Sequence, residues 1–406
     1  MEIVVQKYGG TSVADAQRVQ AVAKRAIAAK EQGYGVVIVV SAQGDTTDEL
    51  IQRALQITDE PPLRELDMLL TTGEQMSSAL LAMAINAAGT EAISLTGVQA
   101  GIRTDSLHTK AKIKSIDTTR VKSELAAGKI VIVAGFQGVD EQGDYTTLGR
   151  GGSDTTAVAL AAALQAKMCE IYTDVDGVYT ADPRVVTSAR KLAEISYGEM
   201  LEMARLGAGV LQPRAVECAA FERVPLVVRS SFNNNSGTWV KEENQLERER
   251  VVVGVAHDLD IAKVTLRGVP DRPGVVARIF TALADAGINV DMIVQTPQER
   301  ETCDMLFSID LADLPRTRGI ITVVGEELGI DGILYDDQVA KVSIVGAGMV
   351  TNPGVAATMF RTLAEAGINI LAISTSEIKV SCLVPRTRAL EAVRAIHSEF
   401  QLDSDA

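Results

Sequence analysis

From the first residues to about position 240, short apolar runs alternate with longer segments in which apolar side chains recur every three to four positions. Ile3 to Val5, Val36 to Val40, Ala92 to Leu95, Ile130 to Phe136 and Glu170 to Thr173 read as strands, and Ala14 to Gly33, Met76 to Ala88 and Val158 to Ala166 as helices. The run Val36 to Val40 is continuous and β-branched, as expected of a strand covered on both faces. The segment between Leu95 and Ile130 is polar and reads as helical. Strands that alternate with helices in this way imply a mainly parallel sheet between two helical layers, a three-layer αβα sandwich.

Beyond a polar stretch from Asn233 to Arg250, taken as a boundary, the pattern changes to an internal repeat. Asp271 to Val290 aligns without gaps to Thr351 to Ile370, 80 residues later, with 11 of 20 positions identical. Each copy reads strand, P-G turn, amphipathic helix, A-G-I-N turn, strand, strand, helix. The first copy closes with a strand near Gly332 to Tyr335, whereas the second ends at Phe400 one strand short. The unassigned β-branched run Val251 to Val255 can supply it, so the second module is expected to be discontinuous, with the first inserted into it. The expected division is a catalytic domain over 1–245 and two ferredoxin-like βαββαβ modules over 262–340 and 341–406, the latter completed by the strand 250–261.

Glycine and polar residues gather just past the C-terminal ends of the first set of strands, the edge at which open α/β sheets bind ligands. Lys7-Tyr8-Gly9-Gly10-Thr11-Ser12 follows the first strand, and Ser41 to Thr47 follows the second. Glu74 is expected at the N-terminus of the Met76 to Ala88 helix, with a simple capping acid as the alternative. The stretch T-T-L-G-R-G-G-S-D-T-T-A from Thr146 to Ala157 offers Gly149, Gly151 and Gly152 for close backbone approach, the forked cation Arg150, and Ser153 and Asp154 where a helix cap belongs. An anion at a helix N-terminus is the natural reading. After the strand ending at Thr173, Asp174 to Arg184 is a loop with three aspartates that lacks the terminal glutamate of a calcium-binding loop. No G-x-x-x-x-G-K-[ST] phosphate loop occurs.

Composition narrows the chemistry. A net charge of -14 without a basic stripe argues against nucleic acid. Four scattered cysteines form no C-x-x-C pair, and none of the three histidines has a ligand neighbour at metal spacing, so no protein-held metal is expected. No apolar stretch nears the roughly 18 residues of a membrane span, and no signal-like leader opens the chain, so a cytoplasmic, non-membrane protein is expected. Cationic groups and N–H donors without a histidine or cysteine nucleophile suit phosphoryl transfer, in which protein groups position reactants and neutralise charge. A carboxylate acceptor, with a pKa of about 4, is already ionised and needs no general base.

K-Y-G-G-T-S at 7–12, T-T-G-E at 71–74, T-L-G-R-G-G-S-D at 147–154 and Y-T-D-V-D-G-V-Y-T-A-D-P-R at 172–184 together resemble the aspartokinases of the amino acid kinase family, followed by two ACT regulatory modules. The resemblance spans essentially the whole chain. It implies the amino acid kinase fold and ATP-dependent phosphorylation of the β-carboxylate of L-aspartate, the first step toward lysine, threonine and methionine. It implies Lys7, Arg150 and Asp174 as catalytic residues, with Ser41, Thr47, Glu74, Arg150, Gly151, Gly152 and Ser153 around aspartate and Glu74 meeting its ammonium group. Lys7, Tyr8, Gly9, Gly10, Thr173, Asp174, Tyr179 and Arg184 would hold the nucleotide, with Mg2+ carried on the ATP phosphates. In the ACT modules, Asp271, Asn289 and Gln295, and Asn352, Asn369 and Thr375, are the implied effector residues, for lysine, threonine or both, in a homo-oligomer paired through these modules. Where many relatives read G-A-K-V-L-H, this chain has Gly209 in place of the lysine, and no nucleotide role is assigned there. A kinase of the same family acting on glutamate or a carbamate, and a catalytically weak amino-acid sensor, are the alternatives left open.

Overall fold

The computed structural model describes residues 1–207, 209–242, 251–298 and 301–404, so most of the charge run taken as a boundary, 243–250, lies outside the described residues. The chain divides into two compact units, one formed mainly by residues 1–178, 191–205 and 209–242 and the other by 179–190 and 251–404.

In the first unit the chain runs β1 (Ile3–Tyr8), α1 (Ala16–Glu31), β2 (Gly35–Val40), α2 (Thr46–Leu55), α3 (Leu63–Ala87), β3 (Ala92–Leu95), β4 (Ile102–Thr104), β5 (Ile113–Ile116), α4 (Thr119–Ala126) and β6 (Ile130–Ala134). It continues through β7 (Gln137–Val139), β8 (Tyr145–Thr147), α5 (Gly152–Leu164), β9 (Met168–Thr173), β10 (Glu194–Ser196), α6 (Tyr197–Arg205), α7 (Pro213–Glu222), β11 (Leu226–Ser230) and β12 (Thr238–Lys241). The main sheet has the order β10-β12-β11-β9-β1-β2-β6-β3 and is parallel except where β12 runs against β11. All six residues of β2 are buried, as its unbroken β-branched run requires.

Alternation along β1 assigns its faces. Val4 and Tyr8 join a core with Val19, Val22, Ala23 and Ala26 of α1 and Leu81 and Ile85 of α3. Lys7 points the other way, where its ammonium meets Asp154 in the first turn of α5. Helices therefore cover both faces, the expected three-layer αβα arrangement.

Three local expectations are corrected. The segment between β3 and β6 is not mainly helical: β4 and β5 pair there, join β7 and β8 in a second sheet of order β5-β4-β7-β8, and leave only Thr119–Ala126 as helix. Thr71 to Glu74 do not precede a helix but lie inside α3, which starts at Leu63 after Pro62. The Thr71 and Thr72 hydroxyls donate to the carbonyls of Met68 and Leu69 at 2.9 and 2.7 Å, so the polar run stays on the helix. Ser153 and Asp154 are not caps: α5 begins at Gly152, and its N-cap is Gly151 in the left-handed region at φ 71°.

The second unit contains two four-stranded antiparallel sheets. β14 (Ile261–Pro270), α8 (Val275–Asp285), β15 (Val290–Pro297), β16 (Thr302–Asp310), α9 (Leu314–Leu328) and β17 (Gly332–Asp336) follow β13 (Gly254–Asp258). β18 (Val339–Val345), α10 (Val355–Glu365), β19 (Ala372–Thr375), β20 (Lys379–Pro385) and α11 (Ala389–Glu399) complete the chain. Sheet order is β15-β16-β14-β17 in the first module and β13-β18-β20-β19 in the second. β13 pairs with β18 from Gly254↔Val345 to Asp258↔Lys341, so the second module takes its edge strand from before the first. Residues 179–190 also belong to this unit: Ala181 and Val186 enter the second module's core, and Thr180 Oγ1 lies 2.9 Å from His397 Nε2 on α11.

Candidate active site

At the C-terminal edge of the main sheet, β1, β2 and β6 deliver their following turns to one place. Gly44 N–H donates to the Gly10 carbonyl at 3.1 Å and Ser41 N–H to the Tyr8 carbonyl at 3.1 Å, locking the first two turns together. Ser41 and Ser153 hydroxyls stand 2.8 Å apart, which ties the β2 turn to α5. Lys7 Nζ and Asp154 Oδ1 form a 2.6 Å ion pair that is almost entirely out of solvent. α5 adds the positive end of a 13-residue helix, a setting that favours anions, although the Gly152 and Asp154 N–H groups already donate to the Gly149 and Gly151 carbonyls at 2.9 and 3.1 Å.

A cavity of about 570 Å³ opens beside this ion pair, lined by Ser41, Thr47, Glu74, Arg150, Gly151, Gly152 and Ser153 among others. All seven expected substrate residues therefore meet around one space. Glu74 reaches it because Gly73 lets α3 approach the β2 turn: a Cβ at 73 would stand 2.8 Å from the Ala42 Cβ. Its Oε1 accepts the Ala42 N–H at 3.2 Å, while Oε2 is buried with no partner. Burial pushes this carboxyl up to about 7, against the opposing pull of the Ala42 hydrogen bond. Glu74 lines the cavity, and a carboxylate oxygen left without a partner beside it suits a cation. Arg150 lines the same cavity, is exposed, and has no described side chain engaging its guanidinium, so its fork is free to take a carboxylate.

Two further lining residues hold unusual backbone. Thr109 and Phe136 have φ of 66° and 68°, a region costly for residues with a side chain and one that gathers at functional sites. The Phe136 carbonyl accepts the Leu148 N–H at 2.9 Å and its own N–H donates to the Thr156 hydroxyl at 3.1 Å, which hold it there. Gly151 is also constrained, since a Cβ would collide with the side chain of Gln212.

The residues expected at the nucleotide divide. Lys7 near the end of β1 is followed by Gly9 and Gly10 in the first turn, and Asp174, exposed just past β9, accepts the Thr173 hydroxyl at 3.0 Å. Tyr8 departs from expectation: period-two alternation turns its ring to the side opposite Lys7, where it is fully buried and stacks on Tyr172 at 4.7 Å, leaving only its backbone at the turn. Tyr179 and Arg184 belong to the second unit, where Arg184 pairs with Asp182 at 2.8 Å. Among the described residues, no cluster of three or more His, Cys, Asp or Glu is placed to hold a metal ion.

In the second ACT-like module, a cavity of about 540 Å³ brings Asn352 and Thr375 together with Ser376 and Glu377, while exposed Asn369 lies outside its lining. In the first module, Asp271 and Gln295 both act on the buried Cys303, whose thiol is raised chiefly by burial, and Asn289 is exposed. Sequence reading missed Asp154 as the partner of Lys7, although it lies within the quoted G-R-G-G-S-D motif. It also missed Thr109 and Phe136, whose strain has no sequence signal.

Comparison with known proteins agrees with this geometry. Residues 2–230 match the amino acid kinase family, and residues 264–326 and 342–400 match ACT domains. The chain is 54% identical to the aspartokinase of Geobacillus stearothermophilus over 406 residues, covering 100% of this chain and 99% of that one. It is 52% identical to aspartokinase 2 of Bacillus subtilis, covering 99% and 98% respectively. Escherichia coli aspartokinase III in complex with aspartate and ADP superposes with a TM-score of 0.82 at 27% identity, covering 98% of this chain and 99% of that one. The chain thus belongs to the aspartokinases of the amino acid kinase family, and it is an aspartate kinase with ACT domains.

Proposed function

We propose that the enzyme transfers the γ-phosphoryl group of ATP to the β-carboxylate of L-aspartate, giving 4-phospho-L-aspartate and ADP. The observation that carries this is one cavity lined both by Glu74, with an unpartnered buried oxygen, and by the unengaged Arg150. Glu74 takes the α-ammonium, Arg150 grips a carboxylate through its fork, and Ser41, Thr47 and Ser153 supply hydroxyls. Gly151 and Gly152 keep the backbone close to the substrate.

The substrate's ionised β-carboxylate oxygen attacks the γ-phosphorus as the bond to the β–γ bridging oxygen breaks, and ADP leaves with the electron pair. No proton has to be removed from the acceptor. Lys7 and the positive N-terminal end of α5 neutralise charge on the transferring group, while Asp154 fixes the ammonium. Thr173 and Asp174 extend the nucleotide side of the site. Mg2+ enters on the ATP phosphates.

The product feeds lysine, threonine and methionine synthesis, in the cytoplasm, and the ACT domains carry feedback by lysine, threonine or both in a homo-oligomer. The cavity with Asn352 and Thr375 supports an amino-acid effector. So does the related E. coli aspartokinase III, described in complex with lysine and aspartate. No helix among the described residues is long and apolar enough to cross a membrane. ADP release measured with L-aspartate, L-glutamate and carbamate tests the reading: turnover with aspartate alone is expected, and inactivity with aspartate overturns it.

A further inference from the structure

We infer that Asp67 is a positioning residue for substrate recognition, holding the roof of the aspartate cavity so that Arg150 is presented in one place. The inference rests on the aspartate kinase reading above.

Asp67 lies on α3 two turns before Glu74, and it is fully buried. Buried carboxylates are rare unless they satisfy donors that have no other partner. All of its bonds go to the roof: His108 Nδ1–H donates at 2.8 Å, Thr109 N–H at 3.0 Å and the Thr147 hydroxyl at 2.5 Å. Thr109 and Thr147 both line the cavity. The two segments are also joined to each other, because Ala111 N–H donates to the Thr147 carbonyl at 2.9 Å.

Arg150 leaves directly from this unit. The Thr109 carbonyl packs on Gly149, where an added Cβ would stand 3.0 Å away. Arg214 of α7 donates to the carbonyls of Leu148 at 2.5 Å and Ala111 at 3.0 Å. The roof is thus clamped by an anion taking its N–H and hydroxyl donors and by a cation taking its carbonyls. Neither charge lines the cavity. The anion also stabilises the left-handed backbone of Thr109, which nothing in its own residue type favours.

Asp67→Asn preserves the shape but turns an amide toward groups that need acceptors. The expected result is an aspartate KM raised by about tenfold or more with the ATP KM within about twofold of wild type, because the lost bonds act on the roof alone. In an Arg150→Lys background the same change should add less than about threefold, since both act through one group. Equal rises in both KM values, an unchanged aspartate KM, or a full effect retained in the Arg150→Lys background would overturn the inference. Thr147→Val removes one donor at the edge of the cluster and, where Asp67→Asn folds too poorly to assay, is read against the same outcomes. A wild-type enzyme that releases no ADP with aspartate defeats the functional reading itself, which is a different result from any of these.

Discussion

The charge on Glu74 should control both aspartate affinity and stability, in opposite directions. Its carboxyl rises from 4.5 to about 7 on folding, mainly through burial. A difference of roughly 2.5 units at 1.36 kcal/mol each puts the cost of the charged side chain in the free enzyme at about 3 kcal/mol. Between those two values the folded state holds a proton that the unfolded state has lost. The stability contributed by this group is therefore fully present below about 4.5 and lost as pH rises through about 7. In the proposed binding mode aspartate should reverse the preference, because its ammonium beside Glu74 would favour the ionised carboxylate. Only the ionised fraction binds without first losing a proton. With a pKa of about 7 this fraction drops roughly tenfold from pH 8 to pH 6, and the aspartate KM should rise by about the same factor. Glu74→Gln should raise the KM at pH 8, flatten its pH profile, and increase the melting temperature at pH 8 by removing a buried charge. Initial rates at saturating ATP across pH 6 to 8, with thermal melts at each pH, measure all three. A flat wild-type KM, or a slope that survives in Glu74→Gln, would refute the reasoning.

Lys7→Ala should cut kcat by about a hundredfold or more and also lower stability, because it strands the buried Asp154 charge. Lys7→Ala/Asp154→Asn should then recover the melting temperature without recovering turnover, and a double variant that regains activity would remove the role assigned to Lys7. Asn352→Ala or Thr375→Ala should raise the lysine or threonine concentration for half-inhibition by about tenfold while leaving the uninhibited rate unchanged, as read from effector titrations of ADP release. Burial holds the His397 imidazole below its ordinary value. The unfolded chain therefore takes up the proton first, a contribution opposite in sign to that of Glu74, so as pH falls below about 6.5 the melting temperature of His397→Gln should gain on that of wild type.

Much of the fold was legible because its signals are periodic. The unbroken Val36–Val40 run announced a doubly covered strand, and β2 is buried at every position. Self-similarity between 271–290 and 351–370 exposed two modules, and counting strands within them pointed to the run before the first, where β13 lies. Failures occurred where a local cue had two physical explanations. Thr71-Thr72-Gly73 looks like a helix start, yet hydroxyls that return to carbonyls three residues back let the helix run through, and Gly73 serves the contact with Ala42. The 95–130 segment looked helical because its strands are three and four residues long, too short to show alternation.

The site was legible in its parts and not in its pairings. Glycines and cations past strand ends locate a binding edge, but an ion pair between positions 7 and 154 depends on which face of β1 meets α5. Alternation establishes only that Lys7 and Tyr8 point in opposite directions; it does not say which of them faces α5. Helix placement decides it: α1 and α3 enclose Tyr8, so Lys7 goes to α5 and the anion site. The same reasoning explains why Asp67 carried no signal. On a helix it reads as one more polar residue, and its meaning comes from residues 108, 109 and 147, which reach it through a sheet whose strands were not visible in the pattern. Groups that touch substrate tend to lie in short glycine-marked motifs, because close approach constrains the backbone there. Groups that hold those motifs in place are constrained only by tertiary contacts, and for these the structure is the first readable record.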